Sequence, residues 1–185
     1  MRAFATFLGV AAAIFLAFPV QDFLPPLGFA HGARILLVPV IFCYGALVLP
    51  FPGAMALAAY TGLLCDLAYS HVVDGRVEIA VGWSIVIFVI FGLFAQGFQP
   101  AFRRGQWWLH IPFSMVATSL YLALQFVMIS FRREGVAFGE VTAWRILGSG
   151  LAAGLLSPLV CTVGWWANVS FGSRPGQGGE RFARP

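Results

Sequence analysis

The stretch Gly53-Ala-Met-Ala-Leu-Ala-Ala-Tyr-Thr-Gly62-Leu-Leu-Cys-Asp66 decides how this chain is read, because small and apolar residues lead without a break to a carboxylic acid. No charged residue stands between Arg34 and Asp66, so the acid falls where lipid or packed protein should be. An ionisable group at such a depth is costly and marks a site with a task. On a helix, Ala54, Ala58, Gly62 and Asp66 share one face, a seam of small residues along which a neighbouring helix can come close. This predicts a packing helix that serves as the hub of a bundle. Its acid is expected either to bond Tyr, Ser or Gln side chains of a neighbour or to contact another subunit.

The composition around this stretch agrees. With 60% hydrophobic and 10% charged residues and a mean hydropathy of +0.88, the chain is far more apolar than soluble domains, in which about 25% of residues are charged. It reads as an integral membrane protein. Its 185 residues accommodate about six spans of roughly 20 residues each and no separate soluble domain. Every basic residue is an arginine, and these lie at predicted helix ends and in the tail, unclustered with aromatics. That pattern fits membrane-flanking charge and argues against a nucleic-acid partner. Cys43, Cys65 and Cys161 are odd in number, widely spaced and set in apolar runs, which fits neither a disulfide framework nor a metal site.

Outward from the central stretch, the segment Leu49-Pro50-Phe51-Pro52-Gly53 is a turn signal that splits one long uncharged run into two antiparallel helices, 35–49 and 53–69. The first of these is only about 22 Å long, short for a bilayer core about 30 Å thick, and Pro39 is expected to kink it. Upstream, Arg2 and the apolar run 3–21 look like a signal peptide, but the run ends in Phe-Pro-Val-Gln rather than small residues and predicts a retained span. Downstream, spans are predicted over 79–96, 109–131 and 146–169, with a break at Pro100 and an interfacial anchor at Trp107, Trp108 and His110. The Gly-, Pro- and Arg-rich tail 170–185 has almost nothing to bury and is predicted to be disordered. Six spans put both termini on one side. That side carries Arg2, Arg103, Arg104, Arg174, Arg181 and Arg184, against Arg34, Arg76, Arg132, Arg133 and Arg145, a small bias toward cytoplasmic termini.

Three constellations carry potential chemistry. Ser114, Thr118, Tyr121 and Gln125 form a polar stripe on the fifth span, either a packing face or the wall of a ligand pocket. On the sixth span, Gly150, Gly154, Ser157, Cys161, Gly164 and Asn168 repeat the rhythm, and Gly150 and Gly154 would let another helix approach. His71, Asp74 and Glu78 would align on a helix as metal ligands, but Gly75 and their place in a connection favour a solvated loop. No HExxH, Gly-x-Ser-x-Gly, P-loop or dinucleotide fingerprint occurs, and the paired groups of an acid–base centre are missing, so no cofactor is expected and an intramembrane enzyme ranks last.

The Leu49-Pro50 turn followed by Gly62-Leu63-Leu64-Cys65-Asp66-Leu67 resembles the bacterial rod shape-determining protein MreD family. The likeness extends to span count and chain length, and its specific part covers 49–69. It implies a non-enzymatic inner-membrane component of the cell-elongation machinery. The implied partners are an MreC-like protein, MreB, and the RodA and penicillin-binding synthases of peptidoglycan. It also implies an all-α bundle like the substrate-binding S components of energy-coupling-factor transporters. Where the family often has a short Gly-rich turn after Asp-Leu, this chain has the charged connection from His71 to Glu78. Two functions follow as expectations. One is a membrane scaffold in which Gly62, Asp66, Gly150 and Gly154 serve helix packing or a partner interface. The other is a substrate-binding subunit of an energy-coupling-factor-type importer of a vitamin or other small molecule, with Ser114, Thr118, Tyr121 and Gln125 as pocket wall.

Overall fold

The computed structural model describes residues 2–28, 31–69, 72–73, 76–77, 82–132 and 139–170. Among these, six α-helices follow one another: α1 (Arg2–Phe23), α2 (Leu37–Val48), α3 (Phe51–Ala68), α4 (Trp83–Arg103), α5 (His110–Arg132) and α6 (Glu140–Ser170). A short antiparallel pair, β1 (Val72–Val73) and β2 (Arg76–Val77), lies between α3 and α4, and a 3-10 turn, Trp107–Leu109, leads into α5. The predicted ligand trio His71, Asp74 and Glu78, the Arg133–Glu134 connection and the tail from 171 onward lie outside the described residues.

Five of the helices, all but α2, are long and apolar enough to cross a membrane, and they make this a multi-pass membrane protein. Six spans were the expectation, the second of them short. The difference lies in α2, which has 12 residues and so extends only about 18 Å at 1.5 Å per residue. Its limits are set by backbone: Leu36 before it and Leu49 after it are extended, and Pro50, the N-cap of α3, is extended as well. Pro39 falls in the first turn of α2, where the missing N–H would have had no intrahelical partner, so it starts a helix rather than kinking an interior.

An apolar helix too short for the bilayer must be covered by protein. Val38–Val40 and Phe42–Leu47 are buried, with Ile41 between them half-buried, and α2 touches each of the other helices. The hub is therefore α2 rather than the Gly53–Asp66 helix, which packs on α1, α2 and α4. Phe42 meets Phe88 of α4 edge-on with ring centroids 4.9 Å apart, Gly45 lies under Val10 and Leu57, and Tyr44 lies across Gly164 of α6.

The two most extensive helix contacts are α3 on α4 and α5 on α6. Both pairs are antiparallel: Gly62 faces Ile85 while Gly92 faces Met55, and Gly150 faces Ser119 while Gly154 faces Ile111. Gln21 at the end of α1 reaches the start of α2, and Gln96 near the end of α4 reaches the end of α2. One end of the bundle thus collects the C-terminal ends of α1, α3 and α5 with the first turns of α2, α4 and α6. Helix α1 starts, and α6 finishes, at the opposite end. Pro100 does not break α4, which continues to Arg103. In the last turn a proline deprives only the carbonyl four residues back of its donor, a small loss.

Candidate functional site

Asp66 lies in the last turn of α3 and is 4% exposed. Its carboxyl group accepts two backbone hydrogen bonds from the start of α4, from Gly82 N–H at 2.6 Å and Ser84 N–H at 3.2 Å. The first turn of a helix has four N–H groups without intrahelical partners and the positive end of the helix dipole, so an acid placed there satisfies donors and complements the dipole together. The partner is backbone, where side-chain hydroxyls and amides had been expected. Gly82, the N-cap of α4, has φ +102°, a left-handed conformation suited to glycine, and turns its N–H onto Asp66.

Gly62 makes that approach possible. A Cβ at this position would stand 2.4 Å from Ile85 Cα and 2.5 Å from Ile85 N, so the backbone of α4 crosses α3 in the space a side chain would need. Gly62 and Asp66 work as one clamp. The glycine lets the first turn of α4 lie on α3, and one helical turn later the acid binds the N–H groups this turn presents.

The ends of α2 are held in the same way by glutamines. Gln21 of α1 accepts a hydrogen bond from Leu37 N–H at 3.3 Å, and its amide donates to the Tyr69 hydroxyl. Gln96 donates to the carbonyls of Ala46 at 2.7 Å and Leu49 at 3.3 Å, and Gln99 donates to Leu49 as well. A helix that stops inside a protein shell has no water for its terminal groups, and these amides replace it. Sequence reasoning passed over Gln21, Gln96 and Gln99. Their signal was present, since Gln21 closes the first apolar run and Gln96 and Gln99 stand three residues apart at the end of the fourth.

The α5 stripe divides into two clusters. Gln125 donates to the Tyr121 hydroxyl at 3.0 Å and to Ser84 Oγ at 3.3 Å, so it ties α5 to the same first turn of α4 that Asp66 caps. The Tyr121 ring also packs on Phe88 with centroids 5.3 Å apart. At the other end of the stripe, Ser114 lies 3.4 Å from the ring nitrogens of His110, and His110 Nδ1 is hydrogen-bonded to Ser157 of α6. His110 was expected at the interface beside the tryptophans; it is fully buried, its ring edge-on to Tyr44. Trp107 and Trp108 remain more than half exposed. The difference arises because the 3-10 turn ends at Leu109 and His110 is the first residue of α5, directed inward where Ser157 offers a partner. Between the clusters, Thr118 is fully buried and its hydroxyl has no hydrogen-bond partner among the described residues.

Gly150 and Gly154 face α5 of the same chain. A Cβ on Gly150 would collide with Ser119 Oγ and reach 3.0 Å from the Met115 carbonyl oxygen, whereas one on Gly154 would meet Met115 and Ile111 at ordinary distances of 3.6–3.9 Å. The three cysteines are free and buried in the bundle. Among the described residues, no three His, Cys, Asp or Glu side chains gather where they could hold a metal ion. A shallow, open hollow of about 510 Å³ lies on the outer face of α4, and its lining is mainly apolar. Asp66, the three glutamines, Gln125 and the His110–Ser157 pair thus hold helix ends and helix pairs.

Comparison with protein-family models, with curated proteins and with solved structures returned no match to this chain.

Proposed function

We propose that this chain is a scaffold of the bacterial inner membrane, acting in the cell-elongation machinery in the manner of the MreD family and carrying out no chemistry itself. One observation carries the reading: the buried Asp66 and Gln21 and the half-buried Gln96 and Gln99 are engaged in fixing where helices begin and end. In the motif on which the resemblance rests, Gly62 and Asp66 form the clamp between α3 and α4. A rigid interior of this kind leaves the outer faces to do the work. On α6, Leu151, Leu155, Leu159 and Val163 are at least half exposed and recur every fourth residue, an apolar ridge suited to a single-span helix of an MreC-like partner. Helices associate in lipid through close packing and hydrogen bonds rather than through a hydrophobic driving force, so shape is what such a ridge contributes. Through that partner the scaffold would join MreB, RodA and the penicillin-binding synthases. The arginine bias supports cytoplasmic termini.

One observation favours the importer reading, in which the α5 stripe walls a pocket: the buried Thr118 hydroxyl lacks a partner. Purification of the tagged chain from its native membrane in mild detergent, with mass spectrometry of what accompanies it, separates the two. The scaffold reading expects an MreC-like protein together with wall synthases. An ATPase pair with a transmembrane coupling subunit would replace it with the importer.

A further inference from the structure

The hollow on α4 lies apart from the interior clusters. It is lined by Ile90, Leu93, Phe94, Gly97 and Phe98. A Cβ built on Gly97 meets nothing within 4 Å, so the absent side chain opens the hollow to the outside instead of admitting a neighbouring helix of this chain. Phe98 tilts against Phe113 of α5 with ring centroids 6.1 Å apart, which gives the hollow a wall across a seam where α4 and α5 otherwise make sparse contact. Phe94 and Leu93 stand at least half exposed beside it. The shape is a shallow, open trough along the outer face of α4, mainly apolar.

Charge lies at one end of the trough. Arg103 and Arg104 close α4, are exposed, and form no ion pair among the described residues. Arg104 is two helical turns beyond Gly97, on the same face and about 10 Å further along the axis. Trp107 and Trp108 follow at once and are exposed, as residues at the level of lipid headgroups are. An apolar hollow on the outer face of α4, the Arg104 guanidinium in line with it and unpaired among the described residues, Arg103 beside it in sequence at the same level, and two tryptophans marking the interface match a molecule with a hydrocarbon tail and a negative head.

We propose that this trough binds an anionic phospholipid, one acyl chain lying over Gly97 between Phe94 and Phe98 and the headgroup phosphate meeting Arg104, with Arg103 adding positive charge at the same level. Guanidinium groups pair with phosphate through two parallel hydrogen bonds, and basic residues at membrane level select anionic headgroups. A second copy of this chain or a partner helix would leave the two arginines without a counter-charge from the trough itself. The site is independent of the scaffold reading and would stand if the chain proved to be an importer subunit.

The test uses the purified full chain in mild detergent with equal amounts of phosphatidylglycerol and phosphatidylcholine of the same acyl composition, and native mass spectrometry counts the lipids retained. The expected result is preferential retention of phosphatidylglycerol, about fivefold for each arginine engaged. The double substitution R103Q/R104Q, at exposed positions, is expected to abolish the preference. Gly97→Leu, whose side chain would occupy the trough, is expected to remove the tightly held lipid while leaving the melting temperature unchanged. Equal retention of the two lipids, a preference that survives both variants, or a protein dimer that Gly97→Leu dissolves would each overturn the proposal.

Discussion

Replacing Gly62 by alanine is the smallest change that tests whether the α3–α4 clamp is built as described. Alanine favours helix over glycine by about 0.8–1 kcal/mol, so propensity alone predicts stabilisation. Packing predicts the opposite. The new Cβ would lie 2.4 Å from Ile85 Cα, and reaching ordinary contact at about 3.4 Å would require the helices to part by about 1 Å. The obstacle is backbone, which cannot swing aside as a side chain would. A gap of that size forfeits roughly a quarter to a half of each dispersion contact along the seam, and overpacking of a tight site costs about 1–3 kcal/mol. The shift also lengthens the bonds from Gly82 and Ser84 to Asp66, and a buried N–H left unsatisfied costs about 1–3 kcal/mol. The sum outweighs the propensity gain, with a net loss of about 2 kcal/mol or more. Gly154→Ala is the control, since its Cβ would meet Met115 at an ordinary 3.6 Å and should gain both contact and propensity. Thermal unfolding of the full chain in detergent should place G62A several degrees below the parent and G154A at or above it. In the double variant G62A/D66A the two losses should add to less than their sum, because displacement of α4 has already weakened the cap. A G62A protein that melts at or above the parent, or a G154A protein that falls as far, would refute this reasoning.

Other consequences are open to direct measurement. Substituting Gln96 and Gln99 together by leucine leaves the Ala46 and Leu49 carbonyls of α2 without donors, and should cost about 1–3 kcal/mol for each carbonyl left unsatisfied, read by thermal or denaturant unfolding. Ser157→Ala should destabilise by about 1 kcal/mol and add little to a His110→Ala background, since the two side chains bond each other; full additivity would count against the pair. Because Cys43, Cys65 and Cys161 are free and buried, maleimide labelling of the folded protein should be slow at all three and become fast only as the bundle unfolds. Thr118→Val removes a buried hydroxyl that has no partner, and should leave stability equal or raised.

Much of this architecture was legible in the sequence because membrane helices announce themselves by length and apolarity. The Gly62–Asp66 seam was visible as spacing, and its consequence, close approach of a neighbour, is realised by α4. What spacing alone could not convey was the identity of the groups that meet. Asp66 finds backbone N–H groups because Gly82 turns in a left-handed conformation, a property of the connection after α3 rather than of the helix that bears the acid. The placement of the hub was hidden for a related reason. Helix α2 is apolar on every side, so no face marks where its neighbours lie, and its short length was the clue to its enclosure. His110 beside Trp107 and Trp108 read as interfacial because neighbours in sequence were taken as neighbours in environment. The turn into α5 separates them, and Ser157, distant in sequence, takes the imidazole.

The proposed scaffold role in cell elongation is tested most directly by depleting the protein in the cells that make it. With expression repressed, the account predicts that cells widen and round up while uptake of small molecules is unchanged. Full-length expression of a variant that keeps the clamp should restore the shape, and one that breaks it, such as G62A/D66A, should not. Cells that keep their normal shape on depletion but lose uptake of a vitamin would contradict the account.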